Sequence, residues 1–186
     1  WYAMMCYWQN NSKSIALSVW NVTPKDVMGY EKAVEWNGLI GAFGFIVTFS
    51  IAFYLAKLAK KHGAKMIHFA CLLFGAISFL WFPTVQNQYL FFAVIIGYGI
   101  AWASMMGIPY LMVVAVVPKE RYGVYMGIIN MMIVIPMIIQ NLSFGYILKN
   151  FLDNDPRQAI SFAGVLLVLA AICTLLIKIK NIKLSE

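Results

Sequence analysis

Long apolar runs alternate along this chain with short polar breaks. The alternation is sharpest from Ile100 to Pro136, IAWASMMGIPYLMVVAVVPKERYGVYMGIINMMIVIP. Two apolar runs meet there at the charged turn Pro118-Lys119-Glu120-Arg121, and each carries an internal proline, Pro109 or Pro136. Runs of this length read as membrane-spanning helices. Lipid offers no partner for the backbone, so each span must satisfy its own N–H and C=O groups as a helix. The pattern predicts spans at 37–58, 66–82, 89–117, 122–148 and 158–177, with 1–9 as the end of another. The mixed stretch 10–35, with Pro24 and Gly29, reads as an extramembrane loop holding a short amphipathic piece at 15–20. A helix over 89–117 would be about 43 Å long, more than a hydrocarbon core of about 30 Å, so it is expected to tilt, kink or protrude.

Composition agrees with this division. The chain of 186 residues is 62% hydrophobic and 11% charged, with a mean hydropathy of +0.78. Soluble domains have about 25% charged residues, so the chain is expected to be an all-α, multi-pass membrane protein in the lipid bilayer. It opens at Trp1 directly in apolar sequence and is read as lacking an N-terminal part.

The net charge of +7 is placed as a membrane topology would place it. One set of loops holds Lys57, Lys60, Lys61, Lys65, Lys119, Arg121, Lys178, Lys180 and Lys183. The opposite set holds Lys13, Lys25, Lys32, Lys149 and Arg157, nearly matched by Asp26, Glu31, Glu35, Asp153 and Asp155. Lysine and arginine collect on the cytoplasmic side, so the first set and the C-terminus are expected there, at the cell inner (plasma) membrane. No nucleic-acid partner is needed to explain the charge.

Chemistry inside the spans is sparse. No Asp or Glu lies between Trp36 and Lys119, and none in mid-span. Any carboxylate that carries a proton is expected outside this sequence. Cys6, Cys71 and Cys173 lie far apart, without metal-ligand spacing. His62 and His68 have no carboxylate or cysteine beside them and are assigned no chemistry. An enzyme would want such groups clustered at one membrane face, so no catalytic residue, metal or cofactor is expected.

What remains is polar and aromatic. Tyr98, Trp102 and Pro109 recur on one helical face, with Gly97, Ala101 and Ser104 as an adjacent small stripe. The aromatic face serves either core packing or stacking on a ligand. Pro109 frees the carbonyl of Met105, which protein or a wet cavity would have to accommodate. Gly123 and Gly127 have the spacing of a close-packing seam. Gly41, Gly44, Thr48 and Ala52 form another small stripe. Asn130 and Asn141 share a face, with Gln140 at its edge and Pro136 between. Asn130 either bonds a neighbouring helix or a polar solute. Trp8 and Gln9 pair an indole with an amide at the end of the first helix, where a tryptophan serves either a solute or the interfacial belt.

GIAWASMMGIPYLMVV followed by PKERYGVYMGIINMMIVIP resembles the tenth and eleventh helices of the major facilitator superfamily. The similarity is greatest to the branch of sucrose and maltose proton symporters, near the glycoside–pentoside–hexuronide cation symporters. It rests on Pro109-Tyr110, the turn Pro118 to Gly123, the block Tyr125 to Asn130 and Pro136. Where that branch often has Pro-Gln, this chain has Pro136-Met137, with Gln140 three residues on. The basic turn Leu55 to Lys65 resembles the superfamily's loop motif, and WYAMMCYW the end of helix seven.

The resemblance implies that residues 1–186 are helices seven to twelve, the C-terminal six-helix bundle of a twelve-helix transporter, partnered by an N-terminal six-helix half. It implies proton-coupled import of a neutral glycoside, a disaccharide such as maltose or sucrose. Tyr98, Trp102 and Tyr110 would edge or stack on the sugar, and Asn130 and Gln9 would bond its hydroxyls. Pro109 and Pro136 would bend, and Gly123 and Gly127 would pack closely. A drug or metabolite exporter of the same architecture, and a non-transporting sensor or scaffold, remain as alternatives.

Overall fold

The computed structural model describes residues 1–177, so the basic tail positions Lys178, Lys180 and Lys183 lie outside the described residues. The chain forms six helices: α1 (Tyr2–Ile15), α2 (Val27–His62), α3 (Ala64–Trp81), α4 (Phe91–Val114), α5 (Tyr122–Phe151) and α6 (Pro156–Leu176). No strand occurs among the described residues. Five of the helices, α2 to α6, are long and apolar enough to cross a membrane.

Successive helices run in opposite directions. Ser18, just past α1, donates to the carbonyl of Pro83, just past α3. At the other end Lys65, which opens α3, donates to the carbonyls of Leu175 and Ile177 at the close of α6. Lys65 thereby meets orphan carbonyls that a helix C-terminus leaves without partners.

The expected loop at 10–35 is mostly helix. α1 continues to Ile15 and then as a π-helical turn, Ala16–Trp20, before Asn21 ends it in the left-handed region at φ 52°. The polar run beginning at Asn10 suggested an exit from the membrane. Asn10 instead folds its amide back to the Cys6 carbonyl at 2.9 Å, which hides it within its own helix. Asp26 then caps α2 by accepting from the Gly29 N–H.

The overlong helix is also elsewhere. α4 has 24 residues, with a 3-10 turn at Gln88–Leu90 before it and irregular backbone after Val114. α2 has 36, about 54 Å at the usual rise. Its first turns carry Glu31, Lys32 and Glu35, all exposed, and Lys32 lies over the Trp20 ring at 5.4 Å. Pro109 and Pro136 both sit inside continuous helices.

α3 lies centrally, packed along α4 and α6; α2 packs along α4, and α1 along α6. Lipid tails are as apolar as side chains, so helices here associate through close packing and polar ties. Gly97 faces the backbone of Phe74, Gly75 faces Ala101, and Gly164 faces Leu80. Gly99 meets the Gly44 carbonyl, and Thr48 donates to the Gly99 carbonyl at 3.1 Å. The stripe of Gly97, Ala101 and Ser104 is thus the α3–α4 seam, and Gly44 with Thr48 forms the α2–α4 seam. Gly41 lies open.

The seam expected of Gly123 and Gly127 is not formed here. A Cβ at either would meet nothing within 4 Å, because α5 stands at the edge of the bundle. The buried residues of α5 are only Ile129, Gln140 and Phe144.

The α5–α6 connection is fixed by polar contacts. Asp155 caps α6 through the Arg157 N–H and pairs with the guanidinium at 2.7 Å. Partial burial pushes its carboxyl upward, but the hydrogen bonds and charge of Arg157 outweigh this and hold it below the usual carboxylate value. A carboxyl lowered by folding contributes stability above its unfolded pKa, about 3.9, and loses it as the pH falls through the lower folded value. Asp155→Ala should cost about 1 kcal/mol near neutral pH. In thermal melts of the purified protein, its deficit against wild type should shrink as the pH drops below about 4.

Candidate functional site

One continuous face across α1, α4 and α5 gathers the polar and aromatic residues, in three zones. The first is a chain of amides between α1 and α5. Gln9 Nε2 donates to Asn141 Oδ1 at 2.9 Å, and Gln140 Nε2 donates to Gln9 Oε1 at 2.9 Å. Gln140 is fully buried, and its Nε2 also approaches Cys6 Sγ at 3.7 Å. Its Oε1 has no hydrogen-bond partner among the described residues. Buried polar atoms almost always find one, so this oxygen is an exception within the bundle.

The second zone is aromatic, between α1 and α4. Trp102 stacks on Tyr98 with centroids 6.1 Å apart and an interplanar angle of 9°. Trp1 and Trp8 both meet Trp102 edge-on, at 5.5 and 5.4 Å. Tyr98 is only 4% exposed, enclosed by Tyr7 and Phe79 as well as Trp102. Its ring therefore belongs to the core in this structure and is not offered to a solute. Its hydroxyl receives the Trp8 Nε1–H at 3.3 Å. Trp102 stays partly exposed beside it.

The third zone ties α4 to α5. Tyr110 donates its hydroxyl hydrogen to Asn130 Oδ1 at 2.9 Å. Asn130 remains exposed, with its amide N–H groups unengaged among the described residues. Asn130 and Asn141 are eleven residues apart on α5, which separates the first and third zones by about 16 Å.

Next to the third zone lies a cavity of about 210 Å³. It is bounded by α3, α4, α5, α6 and Trp1, and Leu72, Met105, Pro109, Ile133 and Leu167 make its wall mainly apolar. His68, Tyr110 and Thr174 are its polar lining side chains.

The structure thus joins Gln9 to the amide chain, Trp102 to Tyr98, and Tyr110 to Asn130, rather than placing all five around one point. Gln140 emerges as the buried hub that the sequence placed only at the edge of a face. One signal pointed to it: an amide one turn beyond Pro136 in an otherwise apolar run. His68 had no such signal, since its partner Ser104 lies 36 positions away.

Five helices long and apolar enough to cross a membrane, joined by polar ties, fit a multi-pass membrane protein, and comparison with known families agrees. A profile of the Major Facilitator Superfamily matches residues 1–141 and again 31–183. The chain belongs to the Major Facilitator Superfamily. No curated protein and no solved structure matches it. Major facilitator proteins are multi-pass transporters of small molecules in the lipid bilayer. For this major facilitator chain, the zoned face across α1, α4 and α5 is accordingly the candidate solute-binding surface. The small-residue seams that hold α2, α3, α4 and α6 together are its scaffold.

Proposed function

We propose that this chain is the C-terminal six-helix half of a twelve-helix symporter that imports a neutral glycoside, such as maltose or sucrose, together with a proton. The solute would lie near the membrane midplane, between this bundle and an N-terminal one, and rocking of the two would give alternating access. The basic loops would face the cytoplasm and the C-terminus with them, at the inner (plasma) membrane.

One observation carries the reading: a row of uncharged amides, Gln9, Gln140 and Asn141, joins α1 to α5, and Gln9 directly follows Trp8, whose ring meets Trp102 edge-on, with no carboxylate or cation among these residues. Amides both donate and accept, which suits sugar hydroxyls, and a partly exposed indole suits the apolar face of a sugar ring. Gln9 and Asn130 would bond hydroxyls, Trp102 and Tyr110 would edge the ring, and Tyr98 would hold Trp102 and Trp8 in place. Pro109 and Pro136 would act as bends, with Gly123 and Gly127 reserved for a state in which α5 packs more closely.

Uptake of labelled maltose and sucrose by the full-length protein in proteoliposomes tests this. Uptake should collapse with a protonophore and fall about tenfold or more in both Trp102→Ala and Asn130→Ala. Normal uptake in both variants would remove the site assignment. The apolar cavity favours a second reading, export of a hydrophobic drug or metabolite. Inhibition by hydrophobic compounds with no competition from sugars would select it.

A further inference from the structure

His68 is an ionisable side chain within the spans for which transport has so far needed no role. It lies one turn into α3, only 8% exposed, with Nδ1 2.7 Å from Oγ of the fully buried Ser104 on α4. The ring also lines the cavity, and Nε2 makes no hydrogen bond among the described residues. The other two polar lining side chains are already engaged: Tyr110 donates to Asn130, and Thr174 donates to the Ala170 carbonyl at 2.9 Å. The mid-span regions hold no carboxylate, so this imidazole is the mid-span side chain here able both to bind and to release a proton.

We propose that His68 is a proton-binding site of this bundle, anchored through Nδ1–H to Ser104 and loaded at Nε2 from the cavity. Loading forms one N–H bond: the Nε2 lone pair takes a proton from cavity water, which leaves as hydroxide or, if it arrived as hydronium, as water. The Nδ1–H to Ser104 contact is the same in the neutral and the charged ring, because Nδ1 donates in both. Ser104 can therefore hold the imidazole still while its charge changes. The site is independent of which solute is carried, and it adds a proton-binding group inside this sequence to any carboxylate expected outside it.

The groups facing it contribute little competing charge. On α3 itself, Cys71 is a buried free thiol, and Lys65, one turn nearer the basic end, is held by the last carbonyls of α6. α4 presents Tyr110, α6 presents Thr174, α5 presents only Ile129, Met132 and Ile133, and Trp1, just before α1, completes the lining. Among the described residues, no Asp, Glu, Lys or Arg lines the cavity.

The test uses the full-length protein, labelled with ¹⁵N in its imidazoles and reconstituted in lipid, with the His68 resonances assigned by their loss in His68→Gln. The proton is the probe. Between about pH 4 and about pH 9, the Nε2 resonance should titrate while Nδ1 stays protonated throughout. Ser104→Ala should release the tautomer, giving a mixture of Nδ1–H and Nε2–H rings, and Ser104→Thr should restore the single form. A ring that does not titrate across this range, or one that carries its neutral proton on Nε2, would overturn the proposal. The readout needs no transport, so failure here leaves the uptake experiment standing, and failure of sugar uptake leaves this assignment standing.

Discussion

Gly97→Val is expected to unfold or disperse the bundle, with a loss of about 3 kcal/mol or more. A side chain at Gly97 would run into the carbonyl of Phe74 and the Cβ of Ser78 across the α3–α4 seam. Backbone cannot rotate aside as a flexible side chain can, so overpacking there sits at the upper end of its usual range. The same seam carries the hydrogen bond from Ser78 Oγ to the Val94 carbonyl at 2.7 Å, which any separation of the helices would break. Gly127→Ala is the contrast. With nothing within 4 Å, it should be neutral or gain up to about 1 kcal/mol from better helix propensity. Melting curves in detergent would show the difference directly. If Gly127→Ala keeps its stability but slows uptake, then α5 packs more closely in another transport state.

Gln140→Leu should move stability and uptake in opposite directions. Gln140 is fully buried, and its Oε1 lacks a partner among the described residues. Replacing the amide by an apolar group of similar size removes a burial penalty of about 1–3 kcal/mol. One good hydrogen bond, Gln140 Nε2 to Gln9 Oε1, is given up in return, and such bonds contribute about 1 kcal/mol net. The melting temperature should hold or rise. Uptake should fall about tenfold, because Gln9 loses the partner that orients it and the solute loses a nearby donor and acceptor. Gln9→Ala is the complementary case: it leaves Gln140 buried with fewer partners, so it should lower both stability and uptake. A Gln140→Leu protein that melts lower and transports normally would make this residue a structural strut.

These outcomes also show what could be read from the sequence. The span pattern was legible because apolar runs are bounded by charge, as at Pro118 to Arg121 and at Leu55 to Lys65. The helical breaks near Phe82 and Gln88 were legible for a like reason, an uncharged turn with proline between apolar runs. The end of α1 was not. Asn10 and Ser14 look like solvent residues until Asn10 is seen turned back onto the Cys6 carbonyl and Ser14 is seen buried.

The site was legible by residue type but not by grouping. Amides and aromatics in apolar spans announce a role, yet Gln140 and Gln9 are 131 positions apart and His68 and Ser104 are 36 apart. Tyr98 shows how far spacing alone reaches. Its spacing with Trp102 is right for a shared face, but Tyr7 and Phe79, on helices the spacing says nothing about, close over its ring. Likewise Gly123 and Gly127 have the right interval for a seam, but a Cβ at either meets nothing within 4 Å among the described residues.

The central claim is that the face of α1, α4 and α5 is a wet, solute-binding wall and not a lipid-facing one. Substituted-cysteine labelling tests it most directly, in a background where Cys6, Cys71 and Cys173 are replaced. Single cysteines at Asn130, Asn141 and Gln9 should react with a membrane-impermeant thiol reagent, and maltose or sucrose should slow the reaction. A cysteine at the exposed Leu169 of α6 should stay unreactive. Labelling at Asn130, Asn141 and Gln9 as poor as at Leu169 would contradict the account, since it would place the face against lipid.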